Sequence, residues 1–306
     1  MAEYQRVLFV FVDGVGLAPE SAYNPWTHAA TPALRRRLGG PLTLEQCQAS
    51  DHLVLTGIDA NLGIDGLPQS ATGQTALFTG INAARVMGRH VTGLPGPQVR
   101  ALVEDGNLFQ RASHMGLGAT FANAYTRPYL DAVAAGTRRP SVTTCAVASA
   151  DLRFRELEDL LRGEAVSWDI ERDYFGEHVV AALPTVQASE AGRHLSGIAD
   201  RYHLTVFETF LPDMAGHGRW GLSPAEVVKR IDGLLGGIWK HGETSTTLVM
   251  TSDHGNLEDD RSRSHTRNPV PLLATGPLAR EFAGLTSILE VTPTLLRCLE
   301  TPQRVD

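Results

Sequence analysis

Six side chains of types that commonly bind metal ions lie in four short segments of this 306-residue sequence. They are carboxylates and imidazoles: Asp13 in VDGVG, Asp213 and His217 in LPDMAGHG, Asp253 and His254 in TSDHGN, and His265 in SRSHTRNP. Oxygen and imidazole ligands together favour Zn or Mn, because Ca and Mg sites rarely include imidazole. Two such ions about 4 Å apart would stabilise the entering and leaving oxygens of an in-line phosphoryl displacement.

The elements that must position these side chains are apolar, β-branched runs that stop abruptly at polar residues. RVLFVFV ends before Asp13, HLTVFETFL before Asp213, TTLVMT before Asp253, and GATFANA before Tyr125. Each run is typical of a buried strand. A single aspartate after a strand also fits a turn or a helix cap, so the prediction rests on the whole set.

Helices are predicted between these strands. ATPALRRRL begins at Thr31 and ends at Gly39, and SPAEVVKRIDGLLGGIWKHG has one apolar face and a possible capping box formed by Ser223 and Glu226. Strands that alternate with helices predict an α/β fold with a mostly parallel central sheet and helices on both faces. In such folds the functional groups collect at the carboxyl ends of the strands.

The segments DMAGHG, SDHGN and HTRNPVP occur in this order along the chain. Together they resemble the alkaline phosphatase superfamily, and most closely its cofactor-independent phosphoglycerate mutase and phosphopentomutase branch. The resemblance implies an alkaline phosphatase-like fold and two divalent metal ions, Mn or Zn. It assigns Asp213, His217 and His265 to one ion, and Asp13, Asp253, His254 and a hydroxyl nucleophile to the other.

The same resemblance selects Ser70 as the nucleophile, since SATGQ matches the serine or threonine segment of these families. At the first turn of a helix, a serine hydroxyl lies where backbone amides favour a phosphate. Thr72 and Thr75 remain competitors. Gln74 and Gln69 depart from the family pattern, which leaves the substrate open.

Further residues are predicted to select the substrate. Arg89 and His90 follow the nucleophile helix and are candidates for binding a small phosphorylated substrate, although a surface role fits Arg89 equally well. Residues 126–188 fit the alternating pattern poorly and are predicted to form a small inserted cap lobe. Residues 1–125 and 189–306 then form the metal-binding core. The alternative is that 126–188 continues the sheet.

A phosphoserine on Ser70 could react in either of two ways. Attack by water makes the chain a phosphatase, whereas return of the phosphate to a retained substrate makes it a phosphomutase. Hydrolysis is favoured, because a mutase must exclude water with a substantial cap and the predicted insertion is small. Two further alternatives are a sulfate ester or phosphonate hydrolase and an inactive metal-binding scaffold.

The composition excludes several protein classes. A net charge of -7 argues against a nucleic-acid-binding protein, because backbone phosphates require clustered Lys and Arg. The opening VLFVFV run lacks the flanks of a signal peptide, and no apolar stretch approaches membrane-spanning length. Cys47, Cys145 and Cys298 lack CxxC spacing and are typical of buried thiols in a reducing compartment, so we expect a cytoplasmic protein without a membrane partner.

Overall fold

The computed structural model describes residues 5–178, 183–242 and 246–300, with only the backbone for 176–178. Over these ranges the chain forms a mixed α/β fold around a seven-stranded sheet. The strands are β1 (Arg6–Val12), β2 (Gln48–Ala49), β3 (Leu53–Ile58), β4 (Ala119–Phe121), β5 (Leu204–Thr209), β6 (Thr246–Thr251) and β7 (Val270–Thr275). Their order across the sheet is β2-β3-β7-β6-β1-β5-β4.

The helices flank this sheet and connect its strands. Those in the first half of the chain are α1 (Pro25–His28), α2 (Pro32–Leu38), α3 (Ser70–Thr79), α4 (Ala83–Met87), α5 (Pro97–Asp105), α6 (Leu108–His114), α7 (Arg127–Ala134) and α8 (Val142–Ser149). Those in the second half are α9 (Leu157–Leu161), α10 (Asp173–His178), α11 (Ala188–Ala199), α12 (Leu211–Gly216), α13 (Pro224–His241) and α14 (Val291–Glu300). In the described ranges, no helix is both long and apolar enough to cross a membrane.

The centre of the sheet is parallel. β1 pairs in parallel with β5 and with β6, and β4 continues this direction beside β5. β7 runs antiparallel to both β6 and β3, so β3 points the same way as β1, and β2 runs antiparallel to β3 at the edge. The predicted α/β fold is confirmed. The carboxyl ends of β1, β5 and β6 meet side by side at one edge.

Side chains of β1 alternate between two apolar cores, one on each face of the sheet. Phe9 packs with α3, α6, α8 and α14 on one face. Val10 packs with α2, α11, α12 and α13 on the other face. This period of two buries both faces of the strand, which explains why the VLFVFV run after Arg6 is continuously apolar.

Two local predictions from the sequence are wrong. Ser223 lies at the N-cap of α13, but its side chain makes no capping hydrogen bond, so the predicted capping box with Glu226 is not formed. Cys145 and Cys298 are buried, whereas Cys47 is exposed. Cys47 directly precedes the edge strand β2, whose side chains also face solvent.

The separate cap lobe over 126–188 stays a prediction. In this stretch α8 contributes Val142 and Ala146 to the core around Phe78. Leu160 and Phe175 belong to a smaller apolar cluster of their own. Positions 179–182 of the predicted lobe, and positions 1–4, 243–245 and 301–306 of the predicted core, lie outside the described residues.

The amino end of α2 is capped by a residue distant in sequence. Thr31 makes no side-chain cap, and the buried carboxylate of Asp232 in α13 accepts hydrogen bonds from the amides of Leu34 and Ala33 at 2.7 and 3.1 Å. Two helix amides that would otherwise lack partners are thereby satisfied by α13. This contact fixes α2 against α13 on one face of the sheet.

We predict that Asp232→Ala lowers the free energy of unfolding by about 1–3 kcal/mol, because it leaves buried amides without an acceptor. Chemical denaturation measures this change. Lys229→Ala, at an exposed position of the same helix, is the control and changes stability by less than about 0.5 kcal/mol. Equal stability of the two variants would show that the cap contributes nothing.

Candidate metal centre

The edge where β1, β5 and β6 end brings the six predicted metal ligands together. Asp13 directly follows β1, and Asp253 and His254 follow β6. Asp213 lies in α12, the short helix after β5, and His217 is its C-cap residue. The side chains form two groups whose potential ligand atoms lie within 4.8 Å of one another: Asp213, His217 and His265 in group A, and Asp13, Asp253 and His254 in group B.

Group A has the geometry of a cation site. The Nε2 atoms of His217 and His265 lie 3.2 and 3.4 Å from Asp213 Oδ1, and 3.2 Å from each other. Each Nδ1 contacts a backbone carbonyl, that of Arg263 at 2.6 Å and that of Pro68 at 2.7 Å. Because a carbonyl only accepts, each Nδ1 donates, and in a neutral ring the Nε2 lone pair then points toward the carboxylate. The Nε2 lone pairs and the carboxylate oxygen of Asp213 therefore repel one another unless a cation or a proton lies between them.

Group B is more deeply buried. His254 Nε2 lies 3.3 Å from Asp13 Oδ1 and 3.6 Å from Asp253 Oδ2. Asp13 Oδ1 and both carboxylate oxygens of Asp253 are buried without a hydrogen-bond partner among the described residues. Buried ionised carboxylates without partners are costly, and a divalent cation is the usual compensation. The side chains of group B therefore fit a metal ion.

The pKa values in the two groups have opposite directions. Burial raises the pKa of Asp13 and of Asp253, and the charge of Asp253 raises that of Asp13 further. Burial also opposes ionisation of Asp213, but the hydrogen bonds that His217 and His265 donate when their rings are protonated outweigh it and hold the pKa of Asp213 below its usual value. Positive charge next to group B would thus favour the ionised form of both carboxylates.

The structure places Ser70 beside group B. Ser70 is the first residue of α3, and its Oγ lies 3.1 Å from His254 Nε2. The competing hydroxyls are used elsewhere, because those of Thr72 and Thr75 donate to backbone carbonyls of their own helix at 3.1 and 2.7 Å. Of these three hydroxyls, Ser70 is the one that faces the ligand group.

A close approach of two elements sets the position of α3. A Cβ atom added to Gly73 would lie 2.7 Å from the carbonyl oxygen of Asp253. Any side chain there forces α3 away from the end of β6. The absence of a side chain at Gly73 therefore allows Ser70 to reach group B.

Arg89 and His90 lie outside both ligand groups. Arg89 is exposed just after α4. The His90 ring is half-buried with its Nε2 3.3 Å from the carbonyl of Ile64, and burial lowers its pKa. His90 thus contacts the loop that precedes Ser70. A substrate-binding role for either residue stays a prediction.

Several residues that support the ligands were missed by sequence reasoning. The Asn256 amide donates to Asp213 Oδ1 at 2.8 Å, and the Gln74 amide donates to Asp13 Oδ2 at 3.0 Å. Gln74 stood out in the sequence as a departure from the family pattern, and Asn256 closes the SDHGN segment. Glu208, near the end of β5, is a further buried carboxyl group, and burial raises its pKa to about 7.

Buried Glu258 holds the ligand-bearing loops together. Its carboxylate accepts hydrogen bonds from the amides of Gly16 and Asn256, both at 2.8 Å, and from the Asn268 side chain at 3.0 Å. The Thr266 hydroxyl also donates to it. One side chain therefore links the loop after β1, the loop after β6 and the segment that carries His265. Nothing in the local sequence distinguishes Glu258 from a surface glutamate.

Comparison with known proteins is consistent with this geometry. Residues 5–303 match the Metalloenzyme superfamily. The chain belongs to this superfamily. Membership implies that it binds divalent metal, and phosphoglycerate mutases are among its sequence relatives.

One sequence relative is the 2,3-bisphosphoglycerate-independent phosphoglycerate mutase of Rhodopseudomonas palustris, 35% identical over 39% of this chain and 25% of the mutase. The chain therefore spans about a quarter of the length of this curated relative. A protein of Pyrococcus horikoshii has a similar fold, with a TM-score of 0.59 at 14% identity over 100% of both chains. The alkaline phosphatase of Thermus thermophilus aligns over 98% of this chain and 92% of its own, with a TM-score of 0.55 at 14% identity.

We predict that Asn256→Ala weakens the binding of Mn or Zn by about 10- to 100-fold, because Asp213 loses the hydrogen bond that orients it. Calorimetric titration of the metal-depleted protein measures the affinity. Asn107→Ala removes an equally buried asparagine that caps α6 and is the control. It should cost stability without changing metal affinity. An unchanged affinity in the Asn256 variant would contradict the role given to this amide.

Proposed function

We propose that this chain is a two-metal phosphoryl-transfer enzyme that hydrolyses a phosphate ester through a phosphoserine on Ser70. The observation that carries the proposal is the position of the Ser70 hydroxyl, 3.1 Å from His254 Nε2 and beside the unpartnered carboxylate oxygens of Asp13 and Asp253. A nucleophile next to a site that requires positive charge suits attack on an anionic phosphate ester. The substrate is a small phosphorylated molecule.

The ligand chemistry supports Mn or Zn. Asp213, His217 and His265 would hold one ion, and Asp13, Asp253, His254 and Ser70 would hold the other. Three imidazoles among these ligands disfavour Ca and Mg. When bound, the ions would neutralise charge on the transferring phosphoryl group and favour the ionised form of the Ser70 hydroxyl.

The residues of the chain supply the rest of the chemistry. The first amides of α3 have no carbonyl partner within the helix and, with the helix dipole, favour a phosphate at its amino end. The Ser70 oxygen forms a new bond to phosphorus while the ester bond to the leaving alcohol breaks. Water then cleaves the phosphoserine and releases inorganic phosphate.

A phosphomutase is the second candidate, because the sequence matches phosphoglycerate mutases over 39% of this chain. A mutase must shield its phosphoserine from water until the substrate takes the phosphate back. The insertion between residues 126 and 188 is the segment available for such a cap. Helix α7 belongs to this insertion. None of its residues is fully buried, so the helix adds little to an enclosed apolar core. We therefore favour hydrolysis.

We predict that the metal-loaded protein releases phosphate from at least one member of a panel of phosphomonoesters and sugar phosphates. Ser70→Ala should lower this rate by about 1000-fold or more, because the nucleophile is lost. Thr75→Val, which removes a neighbouring hydroxyl of the same helix, is the matched control and should retain the rate. Isomerisation of a sugar phosphate without phosphate release would favour the mutase, and full activity of Ser70→Ala would refute the proposed nucleophile.

The approach of α3 to β6 gives a second prediction. Gly73→Ala should lower the turnover number by about 100-fold, because the added methyl group displaces Ser70 from the ligand groups. Gly197→Ala is the control, since this glycine also lies inside a helix but has open space around its Cα. That variant should stay active and gain up to about 1 kcal/mol of stability. Steady-state kinetics measure the turnover number of both variants, and chemical denaturation measures their stability.

A further inference from the structure

The two carboxylate oxygens of Asp13 have different surroundings. Oδ1 lies 3.3 Å from His254 Nε2, on the side of group B, and has no hydrogen-bond partner among the described residues. Oδ2 accepts a hydrogen bond from the side-chain amide of Gln74 at 3.0 Å. Asp13 and Gln74 are each only 6% exposed, so little solvent reaches this bond. Asp13 therefore offers one free oxygen to group B, although an ionised carboxylate has two that accept.

The nucleophile helix holds the Gln74 amide in this position. Gln74 follows Ser70 by four residues on α3, so both lie on one face of the helix. Gly73, on the same turn, closely approaches the backbone carbonyl of Asp253. The first turns of α3 thus contact both loops that carry the carboxylates of group B. A shift of Gln74 relative to Asp13 would require the whole helix to move.

The second carboxylate of group B is not restrained in this way. Both oxygens of Asp253 are buried without a hydrogen-bond partner in the part of the chain that the structure describes. Group B therefore has five protein atoms that can bind an ion: Asp13 Oδ1, the two oxygens of Asp253, His254 Nε2 and Ser70 Oγ. Without the Gln74 amide, Asp13 Oδ2 would be the sixth.

The number of donor atoms distinguishes the two candidate ions. Zn usually binds four donors and sometimes five. Mn prefers an octahedral arrangement of six, mostly oxygens. A carboxylate that binds through both oxygens adds a donor without adding a residue. Because Gln74 occupies Asp13 Oδ2, the protein atoms of group B suit the smaller coordination number of Zn.

We propose that Gln74 is a positioning residue that makes Asp13 a one-oxygen ligand and thereby selects Zn over Mn at group B. This inference rests on the metal site of the proposed function and names the ion for it. Gln74 acts through Asp13, in the way that hydrogen bonds to ligating carboxylates orient them and tune a metal site. It also gives a physical role to a residue that departs from the family pattern.

The test compares the binding of Zn and Mn by calorimetric titration of the metal-depleted protein. A His217→Ala background removes a ligand of group A, so the titration reports on group B. In this background, Gln74→Met keeps the length of the side chain and removes the amide. We expect the ratio of Zn affinity to Mn affinity to fall about 10-fold, because Asp13 Oδ2 becomes free to bind Mn. Gln110→Met is the control, since it removes a glutamine amide from the capping box of α6, and it should keep the ratio.

A measurement on the wild type tests the same inference without a variant. In a crystal structure with Zn, Asp13 Oδ1 should lie about 2.0–2.2 Å from the ion while Oδ2 keeps its bond to Gln74. Both Asp13 oxygens on the ion, or an unchanged affinity ratio in Gln74→Met, would overturn the role of Gln74. Hydrolysis through Ser70 would still be judged by its own kinetic test. A ratio that falls in Gln74→Met while Ser70→Ala keeps full activity would support the role of Gln74 and refute the nucleophile.

Discussion

The structure depends on one electrostatic constraint, which is that two carboxylates, those of Asp13 and Asp253, are buried close together with too few hydrogen-bond donors for their oxygens. Asp13 and Asp253 are buried at the edge of the sheet where β1 and β6 end. Three of their four carboxylate oxygens have no hydrogen bond from the described residues. Burial and mutual repulsion raise their pKa values. Nearby positive charge favours ionisation of both carboxylates, so the arrangement fits a bound cation.

The scaffold holds these groups together through backbone contacts between distant segments. The amide of Asp213 donates to the carbonyl of Asp13 at 3.1 Å, which joins α12 to the end of β1. Gly14 has φ +79°, and a Cβ atom there would lie 2.7 Å from the Cα of Asp213. Glycine is therefore required where these two loops cross. Glu258 ties the remaining loops by accepting backbone and side-chain hydrogen bonds.

Much of the architecture was predictable, because the informative residues lie next to each other in sequence. The runs that became β1, β5 and β6 are rich in apolar and β-branched residues and end at Val12, Thr209 and Thr251, so the position of the ligands at one sheet edge followed from strand polarity. β3 and β7 were not predicted. β7 begins directly after Pro269, and its antiparallel pairing with β3 joins segments more than 200 residues apart. A local sequence pattern does not indicate which distant strand will pair with it.

The same distinction applies to the site. Ligand types and motifs are local, and they pointed to the residues that the structure brings together. The cap that Asp232 gives α2, the carboxylate of Glu258 and the stacking of Trp168 on Phe210 depend on contacts across the fold, and sequence reasoning missed all three. The left-handed backbone of Trp220 is likewise visible only in three dimensions. Local motifs therefore indicated which residue types lie at the site, whereas the contacts that hold these residues in place are long-range.

The central claim is that six carboxylate and imidazole side chains and one serine hydroxyl surround two cations. A crystal structure of the protein grown with Mn or Zn, with anomalous scattering recorded at the edge of the added metal, tests it most directly. The account predicts two strong anomalous peaks, one bounded by Asp213, His217 and His265 and the other by Asp13, Asp253, His254 and Ser70. Peaks elsewhere, a single peak, or a Ser70 side chain turned away from both would contradict it.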